Sequence, residues 1–169
     1  IASDKSKDGG QTTRELRLHE RLGVSKDGDK VDKLRTVHGN IQHKMYTVTT
    51  VTGSEKSSGT DANVFIDIVG ATGSTGERPL KKSKTHYDKF EKGHSDVFEI
   101  ADVLDLGELK EVTIRHDNKG SLTQSGSSWY VDKIIVEIEG DGKRWEFPCQ
   151  NWLSSNKGDG KLHKTLPVY

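Results

Sequence analysis

The stretch that decides the fold is 62–69, which reads ANVFIDIV. Val64, Ile66 and Ile68 occupy every second position, and the polar Asp67 lies between two of them. Successive side chains of a β-strand point to opposite faces, so this alternation predicts a strand with one buried face. The β-branched residues that fill it are those that a pleated, half-buried surface favours.

The same period of two recurs on both sides of this stretch. Apolar and polar positions alternate in 45–52, 96–100, 109–116, 129–139 and 143–149. Turn-forming residues separate the runs, at 52–59, 70–76, 116–121 and 140–142. Short strands at this spacing are typical of antiparallel sandwiches. We therefore predict an all-β fold, an antiparallel β-sandwich of about eight strands in two sheets, that fills residues 45–169.

Residues 1–44 differ in composition, because they carry few large apolar side chains. We predict an N-terminal extension or linker there. The sequence SKDGGQTTRELR at 6–17 is similar to NKGDGKLHKTL at 156–166, which leaves two interpretations open. The extension is either the tail of a preceding copy in a tandem array or an unrelated polar linker. Because the chain opens with Ile1, we expect a fragment or a processed piece.

The overall charge is balanced, with 26 Lys and Arg residues against 26 Asp and Glu residues. A neutral total gives no general attraction to nucleic acid, so no nucleic-acid partner is expected. The sequence has no apolar run near the roughly 20 residues that span a bilayer. Its single cysteine, Cys149, excludes an intrachain disulfide and fits a reducing compartment.

Residues for catalysis have little support in the sequence. Cys149 shares a strand face with Trp145 and Phe147, which predicts a buried thiol rather than a nucleophile. The seven histidines show no paired metal spacing, and His116 continues the inward face of Ile114. The glycine run GATGSTG at 70–76 lacks the Gly-Lys-Ser/Thr ending of a phosphate-binding loop, so a hairpin turn is predicted.

Six segments together resemble the lipoxygenase-homology (PLAT) domain family. They are GTDANVFIDIVG at 59–70, TGERPLKKS at 75–83, KFEKGHSDVFEI at 89–100, LGELKEVTIRHDNKG at 106–120, WYVDKIIVEI at 129–138 and WEFPCQNWLS at 145–154. Their order and spacing match the family over about 110 residues. The resemblance implies a PLAT-like sandwich that is a binding module and not an enzyme. It is greatest to members built of many such repeats, so neighbouring PLAT repeats are expected.

The resemblance also implies a calcium site on loops at one rim of the sandwich. Calcium binds six to eight oxygens from carboxylates, carbonyls and water. The candidate ligands are Gly59, Thr60, Asp61, Asn63, Asp88, Glu91 and Asp117. Taken alone, the sequence leaves a second interpretation open, in which Asp61, Asp117 and Asn118 only organise turns by bonding their own backbone.

The stretch 78–92, RPLKKSKTHYDKFEK, carries six basic and two acidic residues. Anionic headgroups attract such a segment, although most charge runs are solvated faces. The candidate lipid-binding residues are Lys81, Lys82, Lys84, Leu122 and Trp129, and for Trp129 a core position is the favoured alternative.

The predicted partner is an anionic membrane lipid or a membrane protein. The predicted location is the cytoplasm, at the inner face of the plasma membrane or of a membrane projection. Two alternatives remain open. One is a protein–protein scaffold domain that binds neither calcium nor lipid, and the other is a membrane-targeting domain cut from a lipoxygenase- or lipase-type enzyme.

Overall fold

The computed structural model describes residues 42–120 and 127–169. The predicted extension at 1–44 lies almost wholly outside these residues, and so does the repeat-like stretch at 6–17. Nine strands follow in the described part of the chain. They are β1 (His43–Thr52), β2 (Val64–Gly70), β3 (Gly73–Ser74), β4 (Arg78–Pro79), β5 (Ser95–Leu104), β6 (Leu109–His116), β7 (Trp129–Ile138), β8 (Arg144–Leu153) and β9 (His163–Pro167).

The strands form two antiparallel sheets. One sheet has the order β5-β1-β7-β8, and the other has the order β3-β2-β6-β9 with β4 paired to β2. This confirms the predicted all-β sandwich. Strands β3 and β4 have two residues each, too few to show a period, and β9 buries only Leu166. No helix with the length and hydropathy to cross a membrane occurs among the described residues.

Alternation along the strands builds the core between the sheets. Every second residue of β2 and of most of β6 is buried, and these side chains pack against the inner face of the other sheet. Two buried aromatic residues also satisfy their polar atoms. The Trp129 indole N–H donates to Thr52 Oγ1 at 2.9 Å, and Tyr46 Oη accepts the Leu106 N–H at 3.0 Å. Such bonds allow amphipathic rings to be buried without loss of a hydrogen bond.

Antiparallel pairing brings strand ends from both sheets to one pole of the sandwich. We call this pole the rim; β1, β6 and β8 end there, and β2, β5 and β7 begin there. Val51 pairs with Ser95 in one sheet, and Val64 pairs with His116 in the other. His116 also joins the two sheets, because its Nε2 donates to Leu153 O at 2.7 Å. The loops at the rim are therefore those predicted to carry the site.

Candidate functional site

Phe90 anchors the loop between β4 and β5 in the core. Its ring lies 5.1 Å from that of Trp129 and 5.5 Å from that of Phe98, measured between centroids. Its backbone is left-handed, with φ at 62°, which is uncommon for a bulky residue. Because Phe90 is buried, its neighbours Asp88 and Glu91 are held at the surface of the rim.

The loop between β1 and β2 lies directly against this anchor. The Thr60 N–H donates to Phe90 O at 3.0 Å. A Cβ atom at Gly59 would lie 2.9 Å from that same oxygen, so the close approach requires glycine. The buried Thr60 hydroxyl donates to Ser127 O at 3.1 Å. These contacts bring Asp61 to the loop that carries Asp88 and Glu91.

Asp61, Asp88 and Glu91 form a group that we call the acidic cluster. One carboxylate oxygen from each residue lies within 4.8 Å of those of the other two. Burial raises the pKa of Glu91, and repulsion from Asp88 and Asp61 raises it further. A donor set made only of oxygens suits a hard cation such as Ca²⁺, and a bound divalent cation would relieve the repulsion. The residues therefore fit the implied metal.

Asn63 and Asp117 hydrogen-bond to each other beside the acidic cluster. Asp117 accepts hydrogen bonds from the Asn63 side chain at 2.8 Å, the Asn63 N–H at 3.1 Å and the Lys119 N–H at 3.0 Å. Burial acts to raise the pKa of Asp117, but these bonds outweigh it and the pKa is lowered. These bonds organise the turn beside the acidic cluster, and a calcium-ligand role for the two residues stays a prediction.

His116 supports the same turn from below. Its Nδ1 accepts the Asn118 N–H at 3.1 Å, while its Nε2 donates to Leu153 O. Both ring nitrogens are thus used by one neutral tautomer. Burial lowers the pKa of His116, which keeps the ring neutral. The predicted inward position of this residue is confirmed, since it is 1% exposed.

A shallow basic pocket lies next to the acidic cluster. We call it the basic loop surface; its lining residues are Lys81, Lys82, Ser83, His86, Tyr87 and Lys89. Tyr87 is wholly exposed and directly precedes Asp88 of the acidic cluster. No pattern in the sequence points to Tyr87, because a single aromatic residue in a polar loop belongs to no periodic pattern.

The other predicted lipid contacts are corrected by the structure or lie outside it. Trp129 is fully buried, so the interpretation as a membrane contact is wrong and the core alternative holds. Lys84 forms an ion pair with Glu99, which offsets its charge. Leu122 lies in 121–126, outside the described residues. Lys81 and Lys82 are exposed on the basic loop surface.

The thiol of Cys149 is half-buried, and it packs against the core together with Trp145. Burial raises its pKa to about 11. The thiol is therefore protonated at neutral pH, whereas a nucleophilic cysteine needs a thiolate. The predicted unreactive character agrees with this environment, although the side chain is less deeply buried than expected.

Comparison with known proteins adds to these observations. The family model of the PLAT/LH2 domain matches residues 46–166. Lipoxygenase homology domain-containing protein 1 of Mus musculus is 38% identical over 152 residues, which cover 86% of this chain and 7% of the relative. The chain thus spans only a small part of that relative's length.

Two solved lipoxygenase structures are similar in fold and sequence. A coral 8R-lipoxygenase, described as activated by calcium through a C2-like domain, has a TM-score of 0.59 and 26% identity, covering 73% of this chain and 17% of that one. A calcium-dependent 11R-lipoxygenase has a TM-score of 0.53 and 30% identity, covering 75% of this chain and 17% of that one. From the matched family model, the two-sheet topology and these likenesses, the chain belongs to the PLAT/LH2 domain family.

Proposed function

We propose that this chain is a non-catalytic module that binds anionic membrane surfaces through its rim, assisted by calcium. The observation that carries the proposal is that the acidic cluster and the basic loop surface adjoin one another. Tyr87 of the basic loop surface directly precedes Asp88 of the acidic cluster. The calcium dependence described for the two similar lipoxygenases supports extending a calcium role to this domain.

Charge explains why calcium would control the binding. Lys81, Lys82 and Lys89 supply three positive charges, and the acidic cluster supplies three negative charges. Without calcium the two sets cancel, and one bound Ca²⁺ leaves the two sets together with a net charge of two positive. Each basic charge near an anionic membrane contributes about 1 kcal/mol. Two net charges therefore correspond to about 2 kcal/mol, or roughly a 30-fold gain in membrane affinity.

Tyr87 supplies an apolar contact that charge alone does not give. Its ring is wholly exposed on the basic loop surface, where nothing in the described part of the fold requires an aromatic residue. Aromatic side chains with a polar end favour the headgroup region of a bilayer. We infer that the ring enters that region while the three lysines contact the headgroups.

The inner leaflet of the plasma membrane, or of a projection from it, is the surface that this charge pattern suits, because anionic lipids concentrate there. The relative that the chain resembles is much longer than this chain. We therefore include neighbouring domains of the same family, and a membrane protein at the same surface, among the proposed partners.

Sedimentation with liposomes tests the proposal. We expect the chain to sediment with vesicles of phosphatidylcholine and phosphatidylserine in millimolar calcium, and to stay in solution in EGTA or with phosphatidylcholine alone. The charge reversal Lys81→Glu/Lys82→Glu should abolish the binding. Tyr87→Ser should weaken it while calcium dependence remains.

A matched control uses Lys110→Glu/Lys143→Glu, because these exposed lysines lie at the pole opposite the rim. This variant should sediment like the wild-type chain. If the wild-type chain does not sediment at all, the lipid role is wrong, and the protein-scaffold alternative takes its place. Equal loss in both charge-reversal variants would mean that only total charge matters.

A further inference from the structure

A second group of possible metal ligands lies beneath the basic loop surface. It consists of His86, His94 and Asp96, and each can place one ligand atom within 4.8 Å of the others. His86 Nδ1 is hydrogen-bonded to Asp96 Oδ1 at 3.1 Å, so two of the candidate ligand atoms already lie side by side.

Asp96 is a preorganised and fully buried carboxylate. It is 0% exposed at the second position of β5. The Phe90 N–H donates to its Oδ2 at 2.7 Å, and the Ser83 hydroxyl donates to its Oδ1 at 3.0 Å. These bonds fix the orientation of the carboxylate, as the outer contacts of metal ligands commonly do.

His94 carries an unexplained polar atom. Its Nδ1 is buried and has no hydrogen-bond partner among residues 42–120 and 127–169. Buried nitrogens of this kind are nearly always paired with protein, water or an ion. The acidic cluster does not account for this atom, because an imidazole nitrogen is a poor ligand for calcium and a good one for zinc.

We propose that His94, Asp96 and His86 form a site for a divalent transition metal such as Zn²⁺, separate from the acidic cluster. Two imidazoles and one carboxylate leave the fourth tetrahedral position for water. The two rings stack in the present structure, with centroids 3.9 Å apart and planes at 15°. A metal lies in the plane of each ring that binds it, so one ring must turn. The His86 side chain, 37% exposed, can turn by giving up its hydrogen bond to Asp96, whereas Asp96 stays held by its bonds from Phe90 and Ser83.

The spacing of the ligands explains why the sequence did not reveal them. His86 lies in the loop after β4, and eight and ten positions later come His94, which directly precedes β5, and Asp96, the second residue of β5. This spacing matches no short metal motif. The loop returns to β5 because the Lys84 N–H donates to Val97 O at 2.7 Å. That return, and not the sequence order, brings His86 to the other two ligands.

Calorimetric titration with ZnCl₂ tests the site on the 169-residue chain, with excess CaCl₂ present to occupy the acidic cluster. We expect binding at a single site that calcium does not displace. His86→Gln and His94→Gln should each weaken zinc binding by at least about tenfold. Titration with Co²⁺ should give the visible absorption of a tetrahedral nitrogen and oxygen site, and the same variants should lose it.

Two control variants test whether zinc binding depends on the proposed ligands and not on other histidines or on the acidic cluster. His43→Gln/His163→Gln removes two exposed histidines elsewhere and should leave zinc affinity unchanged. Asp88→Asn/Glu91→Gln should also leave it unchanged, while calcium binding falls. Because Asp96 keeps its bonds from Phe90 and Ser83, His86→Gln should lower the melting temperature without zinc only slightly. The site is refuted if zinc gives no heat, if the His86 and His94 variants bind like wild type, or if only the acidic-cluster variant loses zinc.

Discussion

Neutralising Glu91 should make the calcium-free domain more stable, contrary to the usual effect of losing a charged residue. Glu91 faces Asp61 and Asp88 at up to 4.8 Å. At that distance two like unit charges repel by about 0.9 kcal/mol in a water-like dielectric. Two such pairs, reduced by about half by physiological salt, give about 1 kcal/mol. Glu91→Gln should therefore raise the melting temperature in EGTA by about 3–5 °C.

Calcium should reverse the order of stability, so that the wild-type domain becomes more stable than the Glu91→Gln variant. At a calcium concentration of 100 times the dissociation constant, the wild-type domain gains about 2.7 kcal/mol, while the variant gains much less. Because burial and, to a lesser extent, repulsion raise the pKa of Glu91, the lower stability of the wild-type domain in EGTA should appear as the pH rises through that pKa. Thermal melts in EGTA and calcium measure both effects, with Glu139→Gln, at an exposed glutamate, as the matched control. A variant that is less stable than wild type in EGTA, with an unchanged control, would refute the repulsion argument.

Three further changes test other parts of the rim and core. Trp129→Phe removes the bond to the buried Thr52 hydroxyl, and urea denaturation should show a loss of about 1–3 kcal/mol. Burial lowers the pKa of His116. The contribution of the neutral ring to folding stability should therefore be full above about pH 6.5 and fall below it. His116→Gln should flatten this pH dependence in denaturation curves recorded between about pH 5 and 7. Gly120 has φ at 122°, and a Cβ there would lie 2.1 Å from Asp61 O. Gly120→Ala should therefore cost more than about 1 kcal/mol and weaken calcium binding measured by calorimetry; an unchanged melt would contradict this.

Much of the fold could be predicted because periodicity reports burial directly. Val64, Ile66 and Ile68 are all buried, as their alternation in the sequence indicates. The loops of the rim could be predicted as well, because the family resemblance implies that Asp61, Asp88 and Glu91 lie on loops at one end of the sandwich. Short strands such as β3 and β4 could not be predicted, because two residues are too few to show an alternating pattern.

The finer features of the site depend on interactions that the sequence does not encode locally. Phe90 adopts a left-handed backbone that its residue type disfavours, and the core packing of its ring and the bond to Asp96 compensate. Asp117 could have faced a cation or Asn63, and only the three-dimensional arrangement distinguishes these partners. Only the exposure of the two rings in the structure shows that Trp129 lies in the core and Tyr87 in solvent.

The direction of the strands also decides where the domain can be attached to a solid support. β1 begins and β9 ends at the pole opposite the rim, and the last residue donates its N–H to Glu146 O near the start of β8 at 2.9 Å. The exposed Tyr169 is thus a natural attachment point. Biotin or a sensor-chip linker fixed there would present the rim outward, so that an immobilised domain can meet a passing vesicle with its binding loops unobstructed.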